Sequence, residues 1–320
     1  MPSSCNRTQP RDISAADSLS RAFAETFPVD TLQFIDTVQP GQSKLAYPRT
    51  IAYSPEGILW VTDTAQHIIL TLSPEEENLV ARDTLPDTYP YMAGFRGSSA
   101  YVFSPAFHHM YEMDTTGVTR EVELKGSLPS KGGLRYAIVT DSGFAIKVVA
   151  KGFDGYLAEA NDDGEIKSTH SLVGEEWRYA GQLRTENQTI YSLAGYLPMM
   201  DVFEGSRRDS LHLMGFDSPM LPRTRQFQMG DTKEPPLLSA SAVLADSSWF
   251  VLNMRPGWIQ VDVYSHEGTL RHILTQPSPS FNLEFFPTDI AVHPDGTGGY
   301  YIAVALIKPD PRIDRFYWHP

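Results

Sequence analysis

A decapeptide that occurs near both ends of the chain constrains the fold most. Pro48-Arg-Thr-Ile-Ala-Tyr-Ser-Pro-Glu-Gly57 and Pro287-Thr-Asp-Ile-Ala-Val-His-Pro-Asp-Gly296 share Pro, Ile, Ala, Pro and Gly at the same offsets, with an acid before the Gly. Each leads into a strand-like run, Ile58-Leu-Trp-Val-Thr62 and Gly299-Tyr-Tyr-Ile-Ala-Val304. Weaker copies lie between them, and each places a small residue at the same point: Ala52, Ala93, Ala137, Ala180, Ala242 and Ala291. The spacings are 41, 44, 43, 62 and 49 residues. All but the 62-residue interval suit a blade of four short antiparallel strands, and period alone makes a repeat architecture the first expectation.

The local chemistry supports that period. Innermost strands of a propeller converge on an axis, where a bulky side chain repeated around the ring would collide with its equivalents, so Ala fits there. A few residues after each Ala stands a turn signal: Glu56-Gly57, Gly97-Ser98, Ser142-Gly143, Glu186-Asn187, Asp246-Ser247 and Asp295-Gly296. These are residues that tolerate the backbone of a tight hairpin. The last repeat stops one strand short, after Arg312-Ile-Asp-Arg-Phe-Tyr-Trp318, and Thr31-Leu-Gln-Phe-Ile-Asp-Thr37 supplies the missing strand from the other end. The expected fold is therefore all-β, a six-bladed β-propeller of four-stranded antiparallel blades closed by an N-terminal strand, over residues 31–320. Residues 1–30 read as a flexible arm. A seventh blade drawn from 181–241 is the alternative.

The resemblance now becomes specific. Pro48-x-x-Ile-Ala-x-x-Pro-Glu-Gly57 followed by Leu59-Trp-Val-Thr-Asp63 resembles the NHL-repeat and TolB-like six-bladed propellers. The likeness covers most of the chain as blade architecture, and its motifs are structural. That superfamily includes binding modules, lactonases, lyases and bacterial lipoproteins, so the resemblance implies a fold and leaves the activity open.

Bulk properties narrow the partners. A net charge of −13 argues against nucleic acid, whose phosphates need a basic face. No apolar run reaches the length of a membrane span. The single cysteine, Cys5, excludes an intrachain disulfide. It lies in a polar N-terminal stretch and has two readings, an ordinary thiol or the lipid anchor of a bacterial lipoprotein whose signal has been removed. The second implies a periplasmic or cell-surface setting.

In propellers of this kind, the loops leading into the innermost strands and those joining second to third strands share one face. Those positions hold Arg49, Tyr91, Arg135, Tyr136, Arg178, Tyr179 and Asp289, and then Asp63, Lys151, Asp154, Tyr196, Asn253, Arg255, Trp258 and Lys308. One reading is a non-catalytic cationic mouth rimmed by aromatics, with Arg49, Tyr91, Arg135, Tyr136, Arg178, Tyr179, Tyr196, Arg255 and Trp258 binding an anionic small molecule, saccharide or peptide, because guanidinium forks suit carboxylate and phosphate. In the other, these arginines pair with acids and tie blades together. The resemblance adds an enzymatic alternative, a Ca²⁺- or Mg²⁺-dependent lactonase or lyase with Asp63, Asn253 and Asp289 as oxygen ligands. It departs from that pattern where Arg49 stands in place of a first-blade Glu. Nothing resembles a nucleophile elbow, a phosphate loop or a Cys/His metal site. The long interval 215–238 is expected to be a lid, a partner loop or a disordered excursion on the same face.

Overall fold

The computed structural model describes residues 26–320, apart from 28, 42–43, 75, 87, 126–133, 151–152, 174–175, 234–235, 256 and 278–284. Two short strands come first, β1 (Val29–Thr31) and β2 (Gln33–Val38). Blade one follows as β3 (Pro48–Tyr53), β4 (Leu59–Asp63), β5 (Ile68–Leu72) and β6 (Val80–Thr84). Blade two is β7 (Tyr91–Arg96), β8 (Ser99–Ser104), β9 (His109–Asp114) and β10 (Gly117–Glu123). Blade three is β11 (Leu134–Thr140), β12 (Gly143–Ala150), β13 (Phe153–Ala160) and β14 (Ile166–Ser171). Blade four is β15 (Leu183–Glu186), β16 (Thr189–Ala194), β17 (Met199–Glu204) and β18 (Arg207–His212). Blade five is β19 (Ser239–Ala245), β20 (Ser248–Asn253), β21 (Gln260–Ser265) and β22 (Leu270–Thr275). Blade six is β23 (Phe286–Pro294), β24 (Tyr300–Lys308) and β25 (Arg312–Trp318).

The six blades are six separate sheets, each a meander, so the expected propeller is the observed one. Ring closure also follows the expectation, with one refinement. β2 pairs antiparallel with β25 and completes blade six, while β1 runs parallel to β22 as a fifth strand of blade five. The chain crosses between the two blades at Leu32, fully buried, whose amide donates to Thr275 O at 2.8 Å. One N-terminal segment thus covers two open edges.

Burial explains the strand sequences. The middle strands are sandwiched between neighbouring blades and read as nearly continuous apolar runs; all five residues of β4, Leu59–Asp63, are buried. Outer strands face water, and only two of the seven β10 residues are buried. The described apolar core divides into clusters that each bridge two adjacent blades. Trp60 on blade one packs with Val102 and Met113 of blade two, and Trp249 on blade five with Tyr191 of blade four. Losing either indole would cost about 3–5 kcal/mol.

All six innermost turns expected from the sequence contain a left-handed residue: Gly57, Gly97, Gly143, Asn187, the Asp246-Ser247 pair and Gly296. Blade four departs from the repeat. Trp177-Arg-Tyr-Ala180, expected to begin its innermost strand, instead forms a 3-10 turn (Glu176–Tyr179), and the strand starts at Leu183. The long connection before blade five carries helix α1 (Leu221–Gln228), started by Pro222 in its first turn. Phe227 of α1 meets Trp177 edge-on at 5.0 Å, which seats the helix on the 3-10 turn of blade four. Among the described residues no helix is long and apolar enough to cross a membrane.

Candidate functional site: the mouth of the central channel

The innermost strands begin around one mouth of the channel. There a cavity of about 210 Å³ is lined by Arg49, Tyr91, Tyr136, Gln182, Tyr196 and Thr288, among others. Blades one, two and three contribute Arg49, Tyr91 and Tyr136 from β3, β7 and β11, and Tyr196 comes from the turn between β16 and β17. The Arg49 guanidinium lies 5.8 Å from the Tyr91 ring centroid and 6.0 Å from that of Tyr47. Among the described residues no carboxylate lies within ion-pair distance of it. Burial opposes its charge, but Tyr91, Tyr47 and Tyr136 together hold its pKa above the usual value. Burial also pushes the Tyr136 phenol up to about 12, against the field of Arg49, so at neutral pH it is a hydrogen-bond donor.

The loop in front of Arg49 is held by Asp63. Its two carboxylate oxygens accept the backbone amides of Ala46, Tyr47, Ala65 and Gln66 at 2.6–3.1 Å. Asp63 therefore positions Tyr47 and Arg49.

Behind the mouth, blades three and four share a buried polar node. Lys147 on β12 is fully buried and donates to Gly181 O at 2.5 Å and Ser192 Oγ at 2.8 Å. Gly181 permits this packing, because a Cβ there would stand 2.1 Å from the Leu193 carbonyl oxygen. Arg178 forks onto Asp201 at 2.8 and 2.9 Å, and Arg208 reaches the same carboxylate at 3.6 Å and the Tyr179 hydroxyl at 2.8 Å.

A second buried polar cluster gathers around Asp289, next to the mouth residue Thr288 in β23. Asp289 of blade six accepts Ser241 Oγ (2.5 Å) of blade five, Arg184 Nη2 (3.3 Å) of blade four, Ile51 N (2.9 Å) of blade one and its neighbour Ile290 N (2.9 Å). One carboxylate, 1 % exposed, thus ties four consecutive blades. Burial pushes its pKa up, opposed by Arg184 and the other donors. The cluster borders a larger chamber of about 360 Å³, whose other walls include Ala52, Ala93, Val139 and Ala291.

Of the nine residues expected to bind a ligand, the structure brings Arg49, Tyr91, Tyr136 and Tyr196 together at the cavity. Arg178 belongs to the Asp201 node, and Tyr179 is buried with its hydroxyl donating to Val173 O at 2.5 Å. Arg255 and Trp258 lie at blade five, where Arg255 donates to Asp217 O at 2.8 Å and stands 5.9 Å from the Trp258 ring. The Arg135 side chain lies outside the described residues, as do Lys151, the Asp154 side chain and Cys5.

The three residues considered for a divalent cation are separately engaged. Asp63 is filled by amides and Asp289 by its four donors, as above. Asn253 Nδ2 donates to Asp217 O and Asp262 Oδ2 at 2.9 and 2.7 Å, leaving only its Oδ1 unpartnered. Among the described residues no group of three or more His, Cys, Asp or Glu side chains could hold a metal ion. The donors at Asp63 and Asp289 suit the structural bonds they make, and do not fit a shared Ca²⁺ or Mg²⁺.

Sequence reasoning passed over Arg184 and Lys147. Arg184 escaped because the repeat was aligned on Ala180, three residues before the observed strand. Lys147 left a signal, a lone charge inside Phe144-Ala-Ile-Lys-Val-Val149 on a strand buried on both faces.

No protein-family profile and no curated protein sequence matches this chain. Solved structures do. Regucalcin from Agrobacterium tumefaciens, described as a calcium-binding protein, superposes with a TM-score of 0.55 at 12% identity, covering 91% of this chain and 97% of its own. A luciferin-regenerating enzyme gives 0.57 at 12% identity, with 89% and 94% covered. Virginiamycin B lyase from Staphylococcus aureus gives 0.51 at 13% identity, with 89% and 88% covered. At such identities the likeness establishes the six-bladed propeller fold and nothing finer.

Proposed function

We propose that this propeller is a binding protein that takes a small anionic ligand, or the anionic end of a larger one, at the Arg49 mouth. The observation that carries this reading is Arg49 itself, a largely buried guanidinium set among phenols, with no acid partner among the described residues. A buried charge is normally paired, and a carboxylate or phosphate would complete this one through charge-assisted bonds. Tyr91, Tyr136 and Tyr196 supply donors and apolar ring area around it. The cavity, at about 210 Å³, is smaller than the usual range for drug-sized ligands, which suits a compact head group. Its described lining contains no carboxylate or imidazole to act as a general base, which favours binding over hydrolysis.

The test is isothermal titration with a panel of small carboxylates, sugar acids and phosphates, on the protein and on Arg49→Met. At least one anion should bind the protein, and its affinity should fall tenfold or more in the variant, with the unfolding midpoint little changed. Equal affinity in both proteins would refute the assignment to Arg49.

A further inference from the structure

Lys147 is a second buried cation in this region, beside Arg49, that has no acid partner among the described residues. Strand β12 is apolar on both sides of it, its side chain is fully buried, and among the described residues no carboxylate lies within ion-pair distance. Its Nζ is satisfied by the Gly181 carbonyl, by Ser192 Oγ and by the face of Tyr136, whose centroid is 4.6 Å away. A methionine would fill that strand position without a charge to desolvate.

Its surroundings give it a use. Tyr136 and Gly181 both line the mouth cavity, so the ammonium stands directly behind the wall that a ligand would touch. The charged and titratable groups facing it are few. Asp201 on β17 is already held by Arg178 from the 3-10 turn and by Arg208 from β18. Tyr136 lies on β11, with Arg49, Tyr91 and Tyr196 beyond it. Arg178 and Arg208 thus share Asp201, while Lys147 and Arg49 have no carboxylate within ion-pair distance among the described residues, in a protein whose net charge is −13. In this low-dielectric wall the excess positive field is weakly screened at the mouth.

We propose that Lys147 is the second cation of the mouth and makes it select dianionic head groups, such as a phosphate or sulfate ester or a dicarboxylate, over monoanions. This rests on the reading that the mouth binds an anion at Arg49. Lys147 acts as a positioning residue, through the Tyr136 ring and the Gly181 wall, and does not touch the ligand. Burial lowers the pKa of its ammonium to about 7, with Asp201 opposing that shift. The extra charge is therefore present below that pH and lost above it, and the selectivity should follow.

The experiment uses sulfate and nitrate, which keep their charges of two and one across the relevant range, titrated into the full chain at about pH 6 and about pH 8.5. One additional charge within ~10 Å at an effective dielectric constant near 20 gives a preference on the order of tenfold. The sulfate-to-nitrate affinity ratio should accordingly be about tenfold larger at the lower pH than at the higher. In Lys147→Met both anions should weaken, nitrate by about tenfold and sulfate by roughly the square of that factor, so that the sulfate-to-nitrate ratio falls about tenfold. A pH-independent ratio in the protein, or an unaltered ratio in the variant, overturns the role of Lys147 and leaves the Arg49 site standing. Failure of both anions to bind the protein overturns the Arg49 reading itself. If the variant does not fold, the pH dependence of the unmodified protein decides alone.

Discussion

Arg49 and Arg178 occupy comparable places in the repeat pattern, each at the start of a blade and beside a tyrosine, yet they end in opposite situations. Arg178 is locked by two bonds to Asp201, a residue from a different strand of its own blade. Arg49 faces Tyr47, Tyr91 and Tyr136, from three different blades or loops, and none of them is an acid. The first is a tie, and the second, without an acid partner among the described residues, is the group to which the receptor role is proposed. What separates them is the Asp201 carboxylate that β17 brings to Arg178, for which Arg49 has no equivalent within ion-pair distance among the described residues.

The largest effects should come from removing the acids of the ties. Asp289→Ala would leave Arg184, the Ser241 hydroxyl and two backbone amides without their acceptor at the axis. Asp201→Ala would strand Arg178 and Arg208. Removing one partner of a buried pair costs about 3–5 kcal/mol, and chemical denaturation should show Asp289→Ala near the top of that range. Asp201→Ala should fall lower, because Asp289 accepts the Ser241 hydroxyl and two buried backbone amides as well as its arginine.

The comparison sharpens if the receptor is turned into a tie. Tyr196→Glu places a carboxylate near Arg49, and anion affinity should then fall at least tenfold while the unfolding midpoint changes little. Unaltered binding in that variant would mean that Arg49 is not the group that meets the ligand.

A smaller effect is expected from pH. Lys147 has a folded pKa of about 7, against an unfolded value near 10.4. Between those values the unfolded chain binds more protons than the folded one, so this group makes stability rise with pH across that window. Below about pH 7 the ammonium is charged in both states and its burial cost is fully present. Denaturation midpoints measured from about pH 6 to 9 should carry this upward contribution, and Lys147→Met should remove it.

The smallest change is expected on the rim. Phe227→Ala removes the edge contact with Trp177, a kind of pair worth about 0.5–1.5 kcal/mol beyond its buried area. Proteolysis within 221–230 should become faster, with the propeller itself intact. Unaltered proteolysis would show that helix α1 is held by other contacts.

The architecture could be read from residue order because it repeats. A small residue, a left-handed turn and an apolar run recur at the blade period, and each is a local requirement that every blade must meet by itself. The same local logic placed Arg49, Tyr91, Tyr136 and Tyr196 on one face, since strand starts share that face in any propeller. It failed for blade four, where Ala180 copies the pattern but a 3-10 turn delays the strand to Leu183 and brings Arg184 onto the axis. Pairing was beyond it altogether. Whether an arginine is a tie or a receptor depends on which side chain from a distant strand lies within a few ångströms, and the Asp289 carboxylate joins positions as far apart as Ile51 and Arg184. The sequence by itself determined the number of blades, their turns and the closing strand. Only the tertiary structure decided which charges meet, because electrostatic bonds fall off over distances that chain spacing does not encode.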